Sequence, residues 1–126
     1  MSDYLFVYGT LRRDASNTAH PLLSEHANFV STGTYQGRLY DLGRYPGAVS
    51  SDHSSDVVQG ELYALGNQED FLKRLDEYEG SQFRRTEVSV LLDNGERVVT
   101  WIYIYDGATN GLKTIPSGDY VELPKR

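Results

Sequence analysis

The apolar positions of this chain fall mostly in short runs separated by Gly, Asp and Asn, the punctuation of strands and turns. "DYLFVY" at 3–8 is the first run. It does not alternate, and an unbroken apolar strand is one buried on both faces. "NFVSTGTYQGRLYDLG" predicts one bent strand or two, with the bend at Gly33 or Gly37. "VVQGELYAL" at 57–65 predicts another. "EVSVLLDNGERVVTWIYIYD" is the clearest hairpin, with Asp93, Asn94 and Gly95 as its turn. In its second strand Trp101, Tyr103 and Tyr105 share one face, and Ile102 and Ile104 the other. "TAHPLLSEH" suggests a short helix.

The period changes once. "GNQEDFLKRLDEYEG", 66–80, is the strong helix: Asn67 suits the N-cap, Glu69 and Asp70 the first turn, and Gly80 the position after the last turn. Many strands with one or two helices predict an α+β domain. So many short strands need curvature to enclose a core, which points to a small, bent sheet or barrel. No linker, repeat or low-complexity tract interrupts 1–126, and the longest polar loop, "SSDHSSD", is too short to divide domains, so a single domain is expected.

The wheel of that helix raises a chemical question. At about 100° per residue from Phe71, Leu72, Leu75 and Tyr78 define one apolar stripe. Glu79 falls inside the stripe, at about 80°, whereas Glu77 falls near 240°, on the far side, and Asp76 on the border. A carboxylate facing the core is costly unless paired or functional. Partial burial and the negative end of the helix dipole would both raise its pKa toward the range of a general base. The competing reading is that the chain unwinds at Tyr78 and Glu79 swings to solvent or pairs with Arg84 or Arg85. A hydrolytic pair of Asp76 and Glu79, three residues apart, is a weaker rival.

Composition narrows the classes. A formal charge of −6 argues against nucleic-acid binding. No run is long enough for a transmembrane helix, and the start of the chain has no signal-peptide pattern, so no membrane partner is expected. The absence of cysteine excludes thiolate catalysis and disulfides and fits a cytoplasmic location. His20, His26 and His53 show no metal-ligand spacing, and no metal is expected.

Three segments carry a resemblance: "VYGTLR" (7–12), "LDEYEG" (75–80) and "IPSGDY" (115–120). In motif, order and spacing the chain resembles the γ-glutamylcyclotransferase-like family. The resemblance implies an α+β fold around a small mixed β-barrel with one or two flanking helices. It implies an enzyme that cyclises the γ-glutamyl group of a small γ-glutamyl amine or amino acid to 5-oxoproline, releasing the amine, with no cofactor. Position by position, it makes Tyr8, Gly9, Thr10 and Leu11 the substrate-holding loop, Glu79 the catalytic acid/base, and Tyr120 a neighbour of the pocket mouth. Relatives often carry a tyrosine a few residues after the glutamate, before an arginine; here Phe83 stands there. The alternative is a non-catalytic small-molecule-binding or regulatory protein with the same pocket. Oligomeric state is left open.

The residues suit that chemistry. Successive N–H groups in a turn bind an anion, and Gly9 permits close approach. Tyr8 reads equally as a half-buried strand residue or a pocket lining. Arg12 and Arg13 read more as solvated charges than as part of the anion site.

Overall fold

The computed structural model describes residues 3–8, 27–42, 46–66, 68–79, 82–115 and 118; within the helix, the side chains of 68–70, 78 and 79 are outside that description. In chain order the elements are β1 (Tyr4–Val7), β2 (Ala27–Asp41), β3 (Pro46–Ser50), β4 (Val57–Leu65), α1 (Gln68–Glu79), β5 (Phe83–Leu92), β6 (Arg97–Tyr105) and β7 (Lys113–Thr114). The expected helix in 18–26 and the caps at Asn67 and Gly80 lie outside the described residues.

The strands close on themselves. β1 runs antiparallel to β4, β4 to β2, β2 to β5 and β5 to β6. A parallel contact of β6 with β1, Leu5 beside Trp101, completes a five-strand mixed barrel. β3 extends the wall, antiparallel to the second half of β2 and parallel to β6. β2 is one strand of 15 residues rather than two. It changes partner instead of breaking: Ala27–Gln36 pairs with β4, and Gly37–Asp41 with β3. At Gly33 it has strands on both edges, opposite Gly60 and Leu92, and a Cβ there would lie 2.7 Å from the Leu91 carbonyl oxygen. Glycine is what lets the strands approach that closely.

The hairpin forms as the sequence predicts, but β5 begins earlier, at Phe83. Residues 93–95 turn with Gly95 at φ +90°, and the Asn94 side chain accepts from the Glu96 N–H at 2.9 Å. This is a three-residue loop with a left-handed glycine.

Two apolar layers result. Phe6, Tyr8, Tyr35, Leu39, Val58, Leu62, Val90, Ile102 and Ile115 fill the barrel. Leu5, Val7, Tyr63 and Tyr103 face outward and meet Phe71, Leu72 and Leu75 of α1. β1 therefore is buried on both faces, and its alternation sends Phe6 into the barrel and Leu5 and Val7 to the helix. In β6, Ile102 goes inward while Tyr103, with Trp101 packed alongside, goes to the helix. The wheel is met where side chains are described: Phe71, Leu72 and Leu75 are buried, Lys73, Arg74 and Glu77 exposed, and Asp76 intermediate.

Candidate active site

Tyr8 follows the last residue of β1. Its ring lies in the barrel layer, and its hydroxyl donates to the Tyr103 carbonyl at 2.5 Å and accepts from the Ala48 N–H at 3.1 Å. The hydroxyl thus joins the end of β1 to β6 and β3. This is what a buried phenol requires, since its polar tip needs partners wherever its ring goes. Tyr8→Phe leaves a buried N–H and a buried carbonyl short of a partner. We expect it to lower unfolding stability by about 1–3 kcal/mol, measured by urea denaturation. A loss below a few tenths of a kcal/mol would show the bridge to be dispensable.

Gly9, Thr10, Leu11 and Tyr120 lie outside the described residues. Of the third motif, Ile115 is buried in the barrel and its N–H donates to the Leu39 carbonyl at 2.7 Å. Gly118 is buried with φ +69°, and its carbonyl accepts from the Gln59 N–H at 2.7 Å. The motif is therefore tied to β2 and β4 just before Tyr120.

Glu79 is the last residue of α1. One turn earlier, Asp76 makes a well-defined set of contacts. Arg85 of β5 donates to it through Nε at 2.9 Å and Nη2 at 3.2 Å, and the Tyr103 hydroxyl donates at 2.7 Å. Arg85 and Tyr103 are direct cross-strand partners in the hairpin, so two adjacent side chains converge on one carboxylate. The Arg85 guanidinium also lies over the Trp101 ring, 4.7 Å from its centroid. Burial pushes the Asp76 carboxyl up, but the hydrogen bonds from Arg85 and Tyr103 and the Arg85 charge outweigh it and hold the group below its usual value. α1 carries acids and no base in its last turn, against its own dipole. Arg85 supplies from β5 the cation that the helix lacks. Arg84 pairs with Asp106 at 3.2 Å, so the two arginines following the helix both have carboxylate partners other than Glu79. Asp76, engaged in this way, is poorly suited to be half of a hydrolytic acid pair.

Sequence reasoning missed Glu61. It is fully buried in β4, and the Tyr63 hydroxyl donates to its Oε1 at 2.9 Å. Register sets it opposite Val7, on the face of β4 that Tyr63 shares with the helix layer. In "VVQGELYAL" the alternation alone assigns Glu61 to a polar outer face; the tertiary structure makes that position interior. Phe83 packs its ring edge-on to Tyr105 with centroids 5.8 Å apart.

The chain matches the family described as gamma-glutamyl cyclotransferase, AIG2-like, over residues 5–122. It is 33% identical over 121 residues to YtfP of Escherichia coli K12, named a gamma-glutamylcyclotransferase family protein, covering 96% of this chain and 98% of that one. Among solved structures, YkqA of Bacillus subtilis superposes with a TM-score of 0.73 at 29% identity, over 95% of this chain and 40% of that longer one. A mouse AIG2-like protein superposes with a TM-score of 0.68 at 24% identity, over 98% and 97% of the two chains, a likeness of fold.

Proposed function

The chain belongs to the γ-glutamyl cyclotransferase, AIG2-like family, and on that footing we propose that it cyclises the γ-glutamyl group of a small γ-glutamyl amine or amino acid to 5-oxoproline, with Glu79 as general acid/base. One observation supports the reading beyond family. Leu75, a turn before Glu79, and Val7, next to Tyr8, lie in a single apolar cluster, so the helix ending at Glu79 and the strand leading into Gly9–Leu11 are packed together.

The substrate's α-amine is the nucleophile and its own γ-carbonyl carbon the electrophile. Both belong to one molecule, so the enzyme's task is to fold the chain back rather than to gather two reactants. The amine, with a pKa of about 7.7–8.0 in peptides, is largely protonated at neutral pH. The Glu79 carboxylate takes that proton, the amine nitrogen bonds to the γ-carbon, and the tetrahedral centre collapses by breaking the bond to the departing nitrogen. Glu79 returns that proton to the departing nitrogen and relays to it in the same way the second proton that the attacking nitrogen sheds on becoming the lactam, so one group is base and then acid, the amine leaves as an ammonium and the charge balances. Backbone N–H groups of Gly9–Leu11 would hold the substrate's α-carboxylate away from Glu79.

The test is a panel of γ-glutamyl amines and γ-glutamyl amino acids incubated with the protein, 5-oxoproline being measured directly. We expect one class to be turned over. A panel that binds by calorimetry and yields no 5-oxoproline would favour the second reading, a binding or regulatory protein. Phe83, which lacks the hydroxyl often found at this position in relatives, is the observation that keeps that reading in view.

A further inference from the structure

The two parts of the proposed site, the loop after Tyr8 and the helix ending at Glu79, come from segments some seventy residues apart in sequence. One residue touches Tyr8, which leads into the first, and Asp76 of the second. The backbone carbonyl of Tyr103 accepts from the Tyr8 hydroxyl at 2.5 Å, and the side-chain hydroxyl of the same residue donates to Asp76 at 2.7 Å. Arg85, its cross-strand partner, grips the same carboxylate with two nitrogens and rests on Trp101, whose strand neighbour across the barrel seam is Leu5 of β1. The hydrogen bonds form a continuous path: Ala48 N–H to Tyr8, Tyr8 to Tyr103, and Tyr103 with Arg85 to Asp76.

We infer that Tyr103, Arg85 and Asp76 are positioning residues that set the distance between the substrate-holding loop and the acid/base; this rests on the cyclotransferase reading above. Three features support a positioning role over a general stabilising one. The last turn of a helix frays most easily, because its carbonyls lack partners within the helix. This one also ends in acids that oppose its dipole, which loosens it further. The clamp acts at Asp76, three residues before Glu79 and on the neighbouring side of the helix, where it restrains that turn directly. The Arg85–Asp76 pair is partly solvated, the carboxylate side chain being 42% exposed, so as an ion pair its contribution to global stability is small. Its geometry is nonetheless specific: two donors of a planar guanidinium fork on one carboxylate, with a third donor from the paired strand. Such an arrangement fixes a position more than it stabilises a fold.

The experiment compares wild type with Arg85→Met, Arg85→Lys and Tyr103→Phe. The panel member turned over fastest serves as substrate, and hydrogen exchange is followed at the amides of residues 76–79. The Met variant is expected to lose about ten- to a hundredfold in kcat, with KM changed less than about threefold, the pattern of a misplaced reacting group. The Lys variant, keeping the charge but not the fork, should recover part of that loss. Tyr103→Phe should show a smaller loss of the same kind. Amides 76–79 should exchange faster in the Met and Phe variants, while those of 71–75 change less. Should Arg85→Met fail to fold, Tyr103→Phe, which removes a single oxygen, carries the test. Unchanged exchange at 76–79 would overturn the inference, and so would a loss confined to KM or an unaltered kcat. If wild type makes no 5-oxoproline at all, the functional reading falls, and the exchange measurement, needing no turnover, decides the clamp by itself.

Discussion

Replacing Glu79 by Gln should lower the rate of 5-oxoproline formation by about 10²- to 10⁴-fold while leaving ligand binding measurable. The amide keeps the size and hydrogen-bonding capacity of the carboxylate but cannot accept the ammonium proton, so the substrate amine stays protonated and unreactive through most of the neutral range. The loss should therefore appear in kcat more than in KM, since on the proposed mechanism the group acts on the reacting proton. Binding of a γ-glutamyl compound, followed by calorimetry, controls for misfolding. Activity equal to wild type would remove Glu79 from the mechanism and return the choice of acid/base to the other carboxylates of the helix layer, Glu61 first.

The second large effect is on stability. Leu75 is fully buried at the centre of the layer where α1 meets Leu5, Val7, Tyr63 and Tyr103. Leu75→Ala removes its contacts and leaves a cavity bounded by strands that cannot readily collapse around it. The expected loss is about 2–5 kcal/mol. For a domain of this length that corresponds to a fall in melting temperature on the order of 10 °C. Urea unfolding should show a lower midpoint with the slope unchanged. A loss below about 1 kcal/mol would mean that the helix is not packed on the barrel as described. On the proposed mechanism the loss should reach activity as well, because the same layer carries the helix that ends at Glu79.

Several of these relations were already legible along the chain. The apolar stripe of α1 was readable because a 3.6-residue period is a local property. The same wheel marked Glu77 as exposed and Asp76 as a border residue, as found. The turn at 93–95 was readable from Asp-Asn-Gly, whose conformational preference is also local. β3 and β7 were not, being short segments without alternation. They are strands because β2 and β6 offer them open edges. Nor was Glu61, since a polar residue on an alternating strand looks the same whether its face meets water or a helix.

By itself, the sequence determined the type of each long element, the double burial of β1, and three motifs whose order and spacing point to the family. Those depend on neighbours within a few residues, or on a pattern along one line. The tertiary structure decided which side chains meet. It closed the sheet into a barrel through a single parallel contact of β1 with β6 and turned the outer face of β4 into an interior. It also brought Arg85 and Tyr103 together on Asp76 and hung Tyr8 from the backbone of the same tyrosine. The physical reason is range. Periodicity and turn chemistry act over a few residues, whereas hydrogen bonds and burial act over a few ångströms between residues that the fold alone makes neighbours.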